Sequence, residues 1–205
     1  PALVLVALSV AYSGFRLSEA NAEKTQPIKK IAVQQSSIPY WFYKLAEGDQ
    51  EFSRLLQMAY TASIDEVSNE VDLLVWPETA LPWDPTKYEA LNHSITASTG
   101  PDLLAGLPRH RTGGMTYNSA WLFSRAEEST EPIQFYDKRI TFPVIEAKLG
   151  KGEQAKLLQT KDLSLAPVIC WESVFPDLIH HASNADMIVV LTDPSAFGAS
   201  NLASI

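Results

Sequence analysis

Three polar residues of the kinds used in acyl transfer each stand at the end of a short apolar stretch. Glu78 follows LLVWP, Lys138 follows IQFYD, and Cys170 closes APVI. A thiol needs a base to become a thiolate at neutral pH, and a carboxylate can serve as that base. A fixed ammonium stabilises the oxyanion that forms when a nucleophile attacks a carbonyl. The three side chains would therefore suffice for acyl transfer without a metal ion or a cofactor.

Spacing alone does not establish this chemistry. A lone cysteine after a buried strand is more often a small core residue, and isolated glutamate and lysine side chains are usually surface groups. Catalytic groups are, however, often placed at strand ends, where a rigid core presents a side chain to a cleft. On the catalytic interpretation we expect Glu78, Lys138 and Cys170 to converge in one cleft, at strand ends from both halves of the chain.

Short apolar stretches alternate with helical patterns along the chain, and these elements must position the three residues. Apolar residues recur at helical spacing over residues 51–71, and shorter helices are predicted over residues 88–98 and 176–182. The predicted strands cover residues 29–38, 72–76, 103–107, 119–123, 133–136, 166–170 and 187–192. This alternation predicts an α/β layered fold.

Composition excludes several classes of protein and site. The 205 residues suffice for one sizeable core. A net charge of -8 and the absence of a basic stripe exclude nucleic acid as a partner. The single cysteine cannot form an intrachain disulfide. The histidines lie in unrelated segments or, like His180 and His181, directly beside each other, so no zinc-ligand spacing results and we expect no metal site.

The two ends of the chain differ from its middle. Residues 1–15 are almost entirely apolar but fall short of the roughly 20 residues that span a bilayer. We interpret them as the end of a transmembrane helix, with a buried amphiphilic segment as the alternative. Residues 16–27 are predicted to be a polar linker, and residues 28–205 a catalytic domain that is incomplete at its C-terminus.

The aromatic residues 41–43 (WFY) fit either core packing or an anchor at the membrane interface.

Three local sequences favour the catalytic interpretation of Glu78, Lys138 and Cys170 over a purely structural one. Residues 74–82 (LVWPETALP), 135–139 (FYDKR) and 168–176 (VICWESVFP) occur in this order. Together they resemble the apolipoprotein N-acyltransferases of bacteria, a membrane-embedded branch of the nitrilase superfamily. The resemblance begins near Ile31 and runs to the end of the chain, and it includes Gly106 and the YNSA sequence after it.

The resemblance implies a fold and a role for each residue. In this family the glutamate is the general base, the lysine stabilises the tetrahedral intermediate, and the cysteine carries the acyl group as a thioester. These roles fall on Glu78, Lys138 and Cys170. The family fold is a four-layer α-β-β-α sandwich that follows several transmembrane helices.

Two further acids and two aromatic residues also match positions of the family. Glu146 stands where the family has the glutamate of a Pro-Phe-Gly-Glu loop, which here reads PVIE. Glu172 also matches a family glutamate, and either acid is a supporting catalytic residue or an ordinary surface group. Trp171 replaces the family's tyrosine after the nucleophile, and Phe197 lies in AFG where the family has Trp-Phe-Gly. The resemblance makes Trp171 and Phe197 candidates for lining the substrate cleft.

Three hypotheses about function follow. The first is an acyltransferase that moves a fatty acyl group from a phospholipid, through a cysteine thioester, to the N-terminal amine of a lipoprotein. It would lie in the bacterial inner membrane with its catalytic domain facing the periplasm. The second is another membrane-anchored nitrilase homologue, one that hydrolyses amides or serves conjugal transfer, and the altered loop around Glu146 favours it. The third is a non-catalytic membrane scaffold, which the intact Glu78, Lys138 and Cys170 disfavour.

Overall fold

The computed structural model describes most of the chain from Lys29 to Asp193. The described residues are 29–35, 37–67, 71–97, 100–124, 133–143 and 145–193, together with Tyr12. The predicted end of a transmembrane helix (1–15) and the predicted linker (16–27) therefore lie outside them, Tyr12 apart. Among the described residues, no helix combines the length and the apolar character that crossing a bilayer requires.

The first sheet contains five strands in the order in which they occur along the chain. They are β1 (Ile31–Val33), β2 (Leu73–Val75), β3 (Asp102–His110), β4 (Thr116–Phe123) and β5 (Ile133–Asp137). Strands β1, β2 and β3 are parallel, whereas β4 is antiparallel to both β3 and β5. The carboxyl ends of β2 and β5 carry the segments that hold Glu78 and Lys138.

The second sheet contains three strands, β6 (Leu158–Gln159), β7 (Ser164–Ile169) and β8 (Met187–Leu191). Strand β7 is antiparallel to β6 and parallel to β8. Ile169 pairs with Leu191, so β7 and β8 end side by side. Cys170 is the first residue beyond β7 and begins a 3₁₀ helix, Cys170–Val174.

Between Lys29 and Asp193, the described residues also form the α-helices α1 (Tyr40–Gly48), α2 (Gln50–Glu66), α3 (Glu89–Thr96) and α4 (Pro176–Ala182). Asp49 separates α1 from α2, and its carboxylate accepts hydrogen bonds from the backbone N–H groups of Glu51 and Phe52. This cap satisfies two backbone donors at the start of α2. The buried residues of α2 are spaced four apart, which places them on one face of the helix: Leu56, Tyr60 and Ile64.

The sheets and helices pack in the order α-β-β-α. Helices α1, α2 and α3 cover one face of the first sheet, where Leu74 and Leu103 pack with Tyr60. The other face of that sheet packs against the second sheet, for example through Val75 and Leu165. Helix α4 covers part of the outer face of the second sheet. Successive residues of a strand face opposite sides, so Leu74 and Val75 contribute to different cores. The α/β class predicted from the sequence is confirmed.

The individual elements agree with the sequence to different degrees. The helix over residues 176–182 has the predicted bounds. The helix predicted over residues 51–71 ends at Glu66. Of the strand predicted over residues 29–38, the described residues form a strand at Ile31–Val33. The strand predicted to include Cys170 ends at Ile169, because the chain turns there into the 3₁₀ helix. Helix α1 and strand β6 were not predicted at all.

The aromatic residues 41–43 lie in helix α1, and their side chains differ in how far they are buried. Tyr43 is buried, and its hydroxyl is 2.9 Å from that of Tyr60. Phe42 packs edge-on against Phe52 with ring centroids 5.0 Å apart. Trp41 is 58% exposed. Core packing therefore accounts for Tyr43 and Phe42 but not for Trp41.

Gly106 of β3 lies directly against the backbone that carries Glu78. A Cβ atom at Gly106 would lie 2.4 Å from the carbonyl oxygen of Pro77 and 2.6 Å from the Cα of Glu78. The carbonyl of Gly106 also accepts a hydrogen bond from the backbone N–H of Ala80 at 2.8 Å. Any side chain at this position must therefore push the Glu78 loop away from the sheet.

We predict that Gly106→Ala lowers the free energy of unfolding by about 1–3 kcal/mol, the usual cost of forcing extra volume into packed structure. Gly48→Ala is the matched control, since no atom lies within 4 Å of a Cβ there and alanine favours the helix. Urea unfolding of both variants measures the difference. Equal stability of the two variants would contradict the close approach of β3 to the Glu78 loop.

Candidate active site

Glu78 connects the loop after β2 with the end of β8. The residue is buried, with 7% of its surface exposed. Its Oε1 accepts hydrogen bonds from the Nζ of Lys138 at 3.1 Å and from the Nδ2 of Asn118 at 2.7 Å. Its Oε2 accepts a hydrogen bond from the backbone N–H of Asp193 at 3.1 Å. One carboxylate is therefore held by groups from both sheets.

Lys138 directly follows β5 and is only 1% exposed. Its backbone is fixed on both sides: its N–H donates to the carbonyl of Asn118, and its carbonyl accepts from the N–H of Gly152, both at 2.8 Å. Its Nζ donates to the Oε1 of Glu78 at 3.1 Å and to the Oε1 of Glu146 at 2.9 Å. The ammonium therefore lies between two carboxylates in the interior.

Burial and the two carboxylates act on Lys138 in opposite directions. Burial is the largest influence and lowers the pKa of Lys138, because it penalises the charged form. The charge of Glu78 and the hydrogen bond to Glu146 raise the pKa, and together they outweigh burial, so the pKa of Lys138 lies above its ordinary value. Lys138 is therefore a cation at neutral pH.

Glu146 completes the environment of the ammonium. Its Oε1 accepts hydrogen bonds from Lys138 and, at 2.8 Å, from the Nδ2 of Asn118. Its Oε2 accepts a hydrogen bond from the backbone N–H of Phe142 at 2.6 Å and lies 2.8 Å from the Nζ of Lys138. The loop keeps its carboxylate at the lysine although it has no glycine before Glu146.

Asn118 is a member of the site that the sequence analysis did not single out. Its side chain is buried in β4, and its Nδ2 donates to both Glu78 and Glu146. The available signal was an amide within a strand whose other residues, Thr116–Phe123, are mostly apolar. A buried amide in such a strand needs polar partners, and here those partners are the two acids that flank Lys138.

Cys170 lies within interaction distance of this cluster and has a strained backbone. Its φ angle is +50°, a region that residues other than glycine rarely adopt. The thiol is half-buried and close enough to Glu78 and Lys138 for the charges of both to act on it. Burial is the largest cause that raises the pKa of the Cys170 thiol, and the charge of Glu78 raises it further. The resting group is therefore a thiol at neutral pH, and it needs the base that adjoins it.

The structure thus brings together Glu78, Lys138, Glu146 and Cys170, which come from four separate segments of the chain. Such an arrangement holds a nucleophile beside a base and beside a cation that can balance negative charge on a substrate oxygen. Within the described ranges, no three His, Cys, Asp or Glu side chains are grouped to hold a metal ion.

Glu172 lies elsewhere and contacts a different set of groups. It is fully buried, and its Oε1 accepts hydrogen bonds from the hydroxyl of Tyr136 and the backbone N–H of Arg139, both at 2.7 Å, and from the N–H of Ile140 at 3.3 Å. Its Oε2 accepts one from the N–H of Ile169 at 2.9 Å. Glu172 therefore ties the backbone after β5 to the end of β7, which are the segments that carry Lys138 and Cys170.

Trp171, one of the two cleft candidates, directly follows Cys170 and belongs to an aromatic cluster. Its ring packs edge-on against Phe142 at 5.0 Å and against Phe175 at 5.8 Å between centroids. Ile145 and Val174 near this cluster are each 59% exposed. The other cleft candidate, Phe197, lies outside the described residues.

The fold and the site together are of the nitrilase type: two facing sheets between helices, with a carboxylate, an ammonium and a thiol at strand ends. The family model described as carbon-nitrogen hydrolase matches residues 30–203. The chain therefore belongs to the carbon-nitrogen hydrolase family.

Curated relatives give the most specific likeness. The chain is 26% identical to the apolipoprotein N-acyltransferase of Pseudomonas syringae, over 96% of this chain and 42% of that protein. It is 27% identical to the protein of the same name from Brucella suis, again over 96% of this chain and 42% of the relative. The chain spans less than half the length of the curated relatives that it matches, so it corresponds to one part of them.

Solved structures confirm the fold. An amidase from Nesterenkonia sp. matches with a TM-score of 0.54 at 20% identity, covering 83% of this chain and 69% of that one. A carbon-nitrogen hydrolase from Helicobacter pylori matches with a TM-score of 0.54 at 16% identity, covering 80% of this chain and 59% of that one. At these identities the likeness concerns the fold alone.

We predict that Glu172→Gln lowers the free energy of unfolding by about 2–3 kcal/mol. The carboxylate faces N–H and O–H donors only, and the amide of glutamine would turn its own hydrogens towards one of them. Glu153→Gln is the control, because the Glu153 side chain is 81% exposed and contributes little. Guanidinium chloride unfolding compares the two. Equal stability of Glu172→Gln and the parent protein would show that Glu172 does not hold these strand ends together.

Proposed function

We propose that this chain is the catalytic domain of a membrane-bound N-acyltransferase that works through an acyl-cysteine intermediate. The observation that carries the proposal is the convergence of Cys170, Glu78 and Lys138. The charges of Glu78 and Lys138 both act on the Cys170 thiol, and the Glu78 carboxylate lies 3.1 Å from the ammonium of Lys138. The likeness to curated apolipoprotein N-acyltransferases favours a phospholipid as acyl donor and the N-terminal amine of a lipoprotein as acceptor.

In the first half-reaction the sulfur of Cys170 attacks the carbonyl carbon of a fatty acyl ester. Glu78 takes the thiol proton as the carbon–sulfur bond forms, because the thiol is not ionised at neutral pH. Lys138 stabilises the negative charge on the carbonyl oxygen. The intermediate then collapses to a thioester, and Glu78 returns the proton to the leaving alcohol oxygen of the lysophospholipid.

In the second half-reaction an amine nitrogen attacks the thioester carbon. Glu78 takes a proton from that nitrogen, and Lys138 again stabilises the oxyanion. Collapse forms the amide and breaks the carbon–sulfur bond, and the sulfur regains its proton from Glu78. Sulfur attacks the carbonyl in the first half-reaction and leaves it in the second, and both pass through a tetrahedral oxyanion. The same base and the same cation can therefore serve both half-reactions.

Glu146 and Asn118 would keep the charged groups in place rather than react. A buried ammonium without a negatively charged partner would destabilise the site by several kcal/mol. When Glu78 takes up a proton it loses its charge, and Glu146 then remains as the carboxylate that balances the charge of Lys138. Asn118 holds both acids through one amide nitrogen. The altered loop before Glu146 still delivers the carboxylate, which weakens the argument that the loop favours a different reaction.

The aromatic cluster of Phe142, Trp171 and Phe175 would give the site an apolar wall. With the exposed side chains of Ile145 and Val174 nearby, it suits the acyl chain of a lipid better than a small polar amide. Hydrolysis of an amide is the competing reaction of the same three groups, with water in place of the amine. The two differ in whether an amine acceptor receives the acyl group.

We predict that incubation with a phospholipid adds one acyl chain to Cys170, whereas Cys170→Ala gains none. The chain contains one cysteine, so any thioester must form there, and mass spectrometry with release by neutral hydroxylamine identifies it. Adding a peptide with a free N-terminal amine should move the acyl group onto the peptide. Transfer by Cys170→Ala at more than a tenth of the parent rate would refute the nucleophile.

Glu78→Gln should slow formation of the adduct by about 10²-fold or more, the usual contribution of a general base. Glu89→Gln is the matched control, because Glu89 is an exposed residue in the first turn of α3. The adduct is followed by mass spectrometry over time. A Glu78→Gln rate within threefold of that of Glu89→Gln would rule out Glu78 as the base.

We further propose that the domain faces the periplasm from the inner membrane, following residues 1–15 and the linker 16–27. The test fuses alkaline phosphatase after Pro27 in the full-length protein. The phosphatase should be active, because alkaline phosphatase folds only in the periplasm. A cytoplasmic reporter at the same junction is the control. Activity of that reporter, with inactive phosphatase, would overturn both the location and the lipoprotein acceptor.

A further inference from the structure

Asp137, the residue directly before Lys138, forms an ion pair with Arg109 through both of its carboxylate oxygens. Its Oδ1 accepts a hydrogen bond from the Nε of Arg109 at 2.8 Å, and its Oδ2 is paired with the Nη2 of the same guanidinium. The hydroxyl of Ser119 donates a second hydrogen bond to Oδ1 at 2.7 Å. The last residue of β5 is therefore tied through its side chain to both β3 and β4.

The guanidinium of Arg109 is itself held by two aromatic rings. It lies 4.7 Å from the ring centroid of Tyr117 and 4.5 Å from that of Phe135. The side chains of Arg109 and Asp137 are only 16% and 12% exposed, so water and salt screen their attraction weakly. A planar guanidinium that donates two hydrogen bonds to one carboxylate has a defined orientation. Arg109 is therefore a rigid partner for the end of β5.

We propose that Arg109 is a positioning residue for Lys138 and acts on it through Asp137. This inference rests on the proposed role of Lys138 in stabilising an oxyanion, and it extends that role to a residue of β3. Arg109 does not contact the reacting atoms and determines only where the ammonium of Lys138 lies.

The ion pair and the ammonium lie on opposite faces of the first sheet. Successive residues of a strand face opposite sides. Tyr136 packs between the two sheets, which turns Asp137 to the other face. Lys138 points inward again, to Glu78 and Glu146. The ion pair on one face therefore fixes the backbone from which the lysine projects on the other.

A small displacement of this backbone would affect the proposed reaction. The Nζ of Lys138 must lie at hydrogen-bond distance from the carbonyl oxygen as charge develops there, and a misplacement of about 1 Å can lower a rate by about 10²-fold. Without Arg109, the charge of Asp137 would keep only the hydroxyl of Ser119, and its hydration would draw the end of β5 towards solvent. Lys138 would then meet the oxyanion less closely, whereas binding of the donor would change little.

The first experiment measures the rate of acyl-adduct formation at Cys170 against phospholipid concentration for Arg109→Met, Asp137→Asn and the double variant. We expect each single variant to lower the rate at saturating donor by about tenfold and to leave the half-saturating concentration within about twofold, because the oxyanion contact exists only in the transition state. The double variant leaves neither charge of the pair without its partner. It should be no slower than the single variants, since all three break the same link.

Lys29→Met is the matched control, because Lys29 also forms an ion pair of the first sheet, with Asp72 at 3.3 Å. These two residues precede β1 and β2, at the edge of the sheet opposite to Glu78. The control should keep both parameters within about twofold of the parent. Rates are measured well below the thermal unfolding midpoint of every variant. An Arg109→Met rate equal to that of Lys29→Met would overturn the proposal, and so would a loss in the double variant that equals the product of the two single losses.

A second readout follows the position of Lys138 without an acyl donor. Burial and the charge of Glu78 raise the pKa of the Cys170 thiol, whereas the charge of Lys138 lowers it. An ammonium that has moved away should therefore raise this pKa and shift the pH profile of alkylation by iodoacetamide upward, by about half a pH unit. Cys170→Ala provides the blank, because the chain contains one cysteine.

The double variant separates a movement of Lys138 from a direct effect of the lost charges. It removes one charge of each sign, so we expect it to shift the profile as far as Arg109→Met does only if Lys138 has moved. An unshifted profile in the folded double variant would overturn the role of Arg109. A shifted profile in a protein whose parent forms no acyl adduct would refute the acyltransferase function and leave the positioning of Lys138 standing.

Discussion

The rest of the site depends on the charge of Lys138, which the fold buries almost completely. An ammonium removed from water is tolerated only when opposite charges and hydrogen-bond acceptors replace its hydration. Glu78 and Glu146 supply them, and Asn118 donates to both acids. These four residues come from the loop after β2, strand β4, the position directly after β5, and the loop before β6. Satisfying one buried charge therefore fixes four segments relative to one another, and this network is the frame beside which Cys170 is placed.

Two further groups of contacts hold the backbone that presents these residues. Glu172 joins the segment after β5 to the end of β7. On the other side of Lys138, the carboxylate of Asp137 is ion-paired with Arg109 and accepts from Ser119. The guanidinium of Arg109 lies between the rings of Tyr117 and Phe135, at 4.7 and 4.5 Å from their centroids. Lys138 is thus held by its side chain, by its own backbone and by its neighbours, which keeps the ammonium in one position. Such preorganisation is what the proposed stabilisation of an oxyanion would require.

Cys170 differs from Lys138 in its protonation and in its backbone. Its pKa is raised by burial and by the charge of Glu78, so the site stores a neutral thiol rather than a reactive thiolate. Its backbone angle of +50° is a local strain of about 1–3 kcal/mol that the surrounding packing must offset. Both features fit a cysteine that becomes nucleophilic only when its proton passes to the adjacent carboxylate. The aromatic cluster around Trp171 would then decide which acyl groups approach it.

The sequence by itself determined the α/β class, the positions of most strands along the chain and the identity of the residues at which chemistry could occur, because alternating apolar stretches and local motifs are properties of short segments. Helix α1 was not predicted, because only two of its residues, Tyr43 and Ala46, are buried. Both are buried by packing with residues of α2 and the first sheet, which are not their neighbours in the sequence. The sequence also could not separate the two supporting acids. Only the tertiary structure places Glu146 against Lys138 and turns Glu172 towards backbone donors, because hydrogen bonding between segments distant in the chain depends on where the strands end in space.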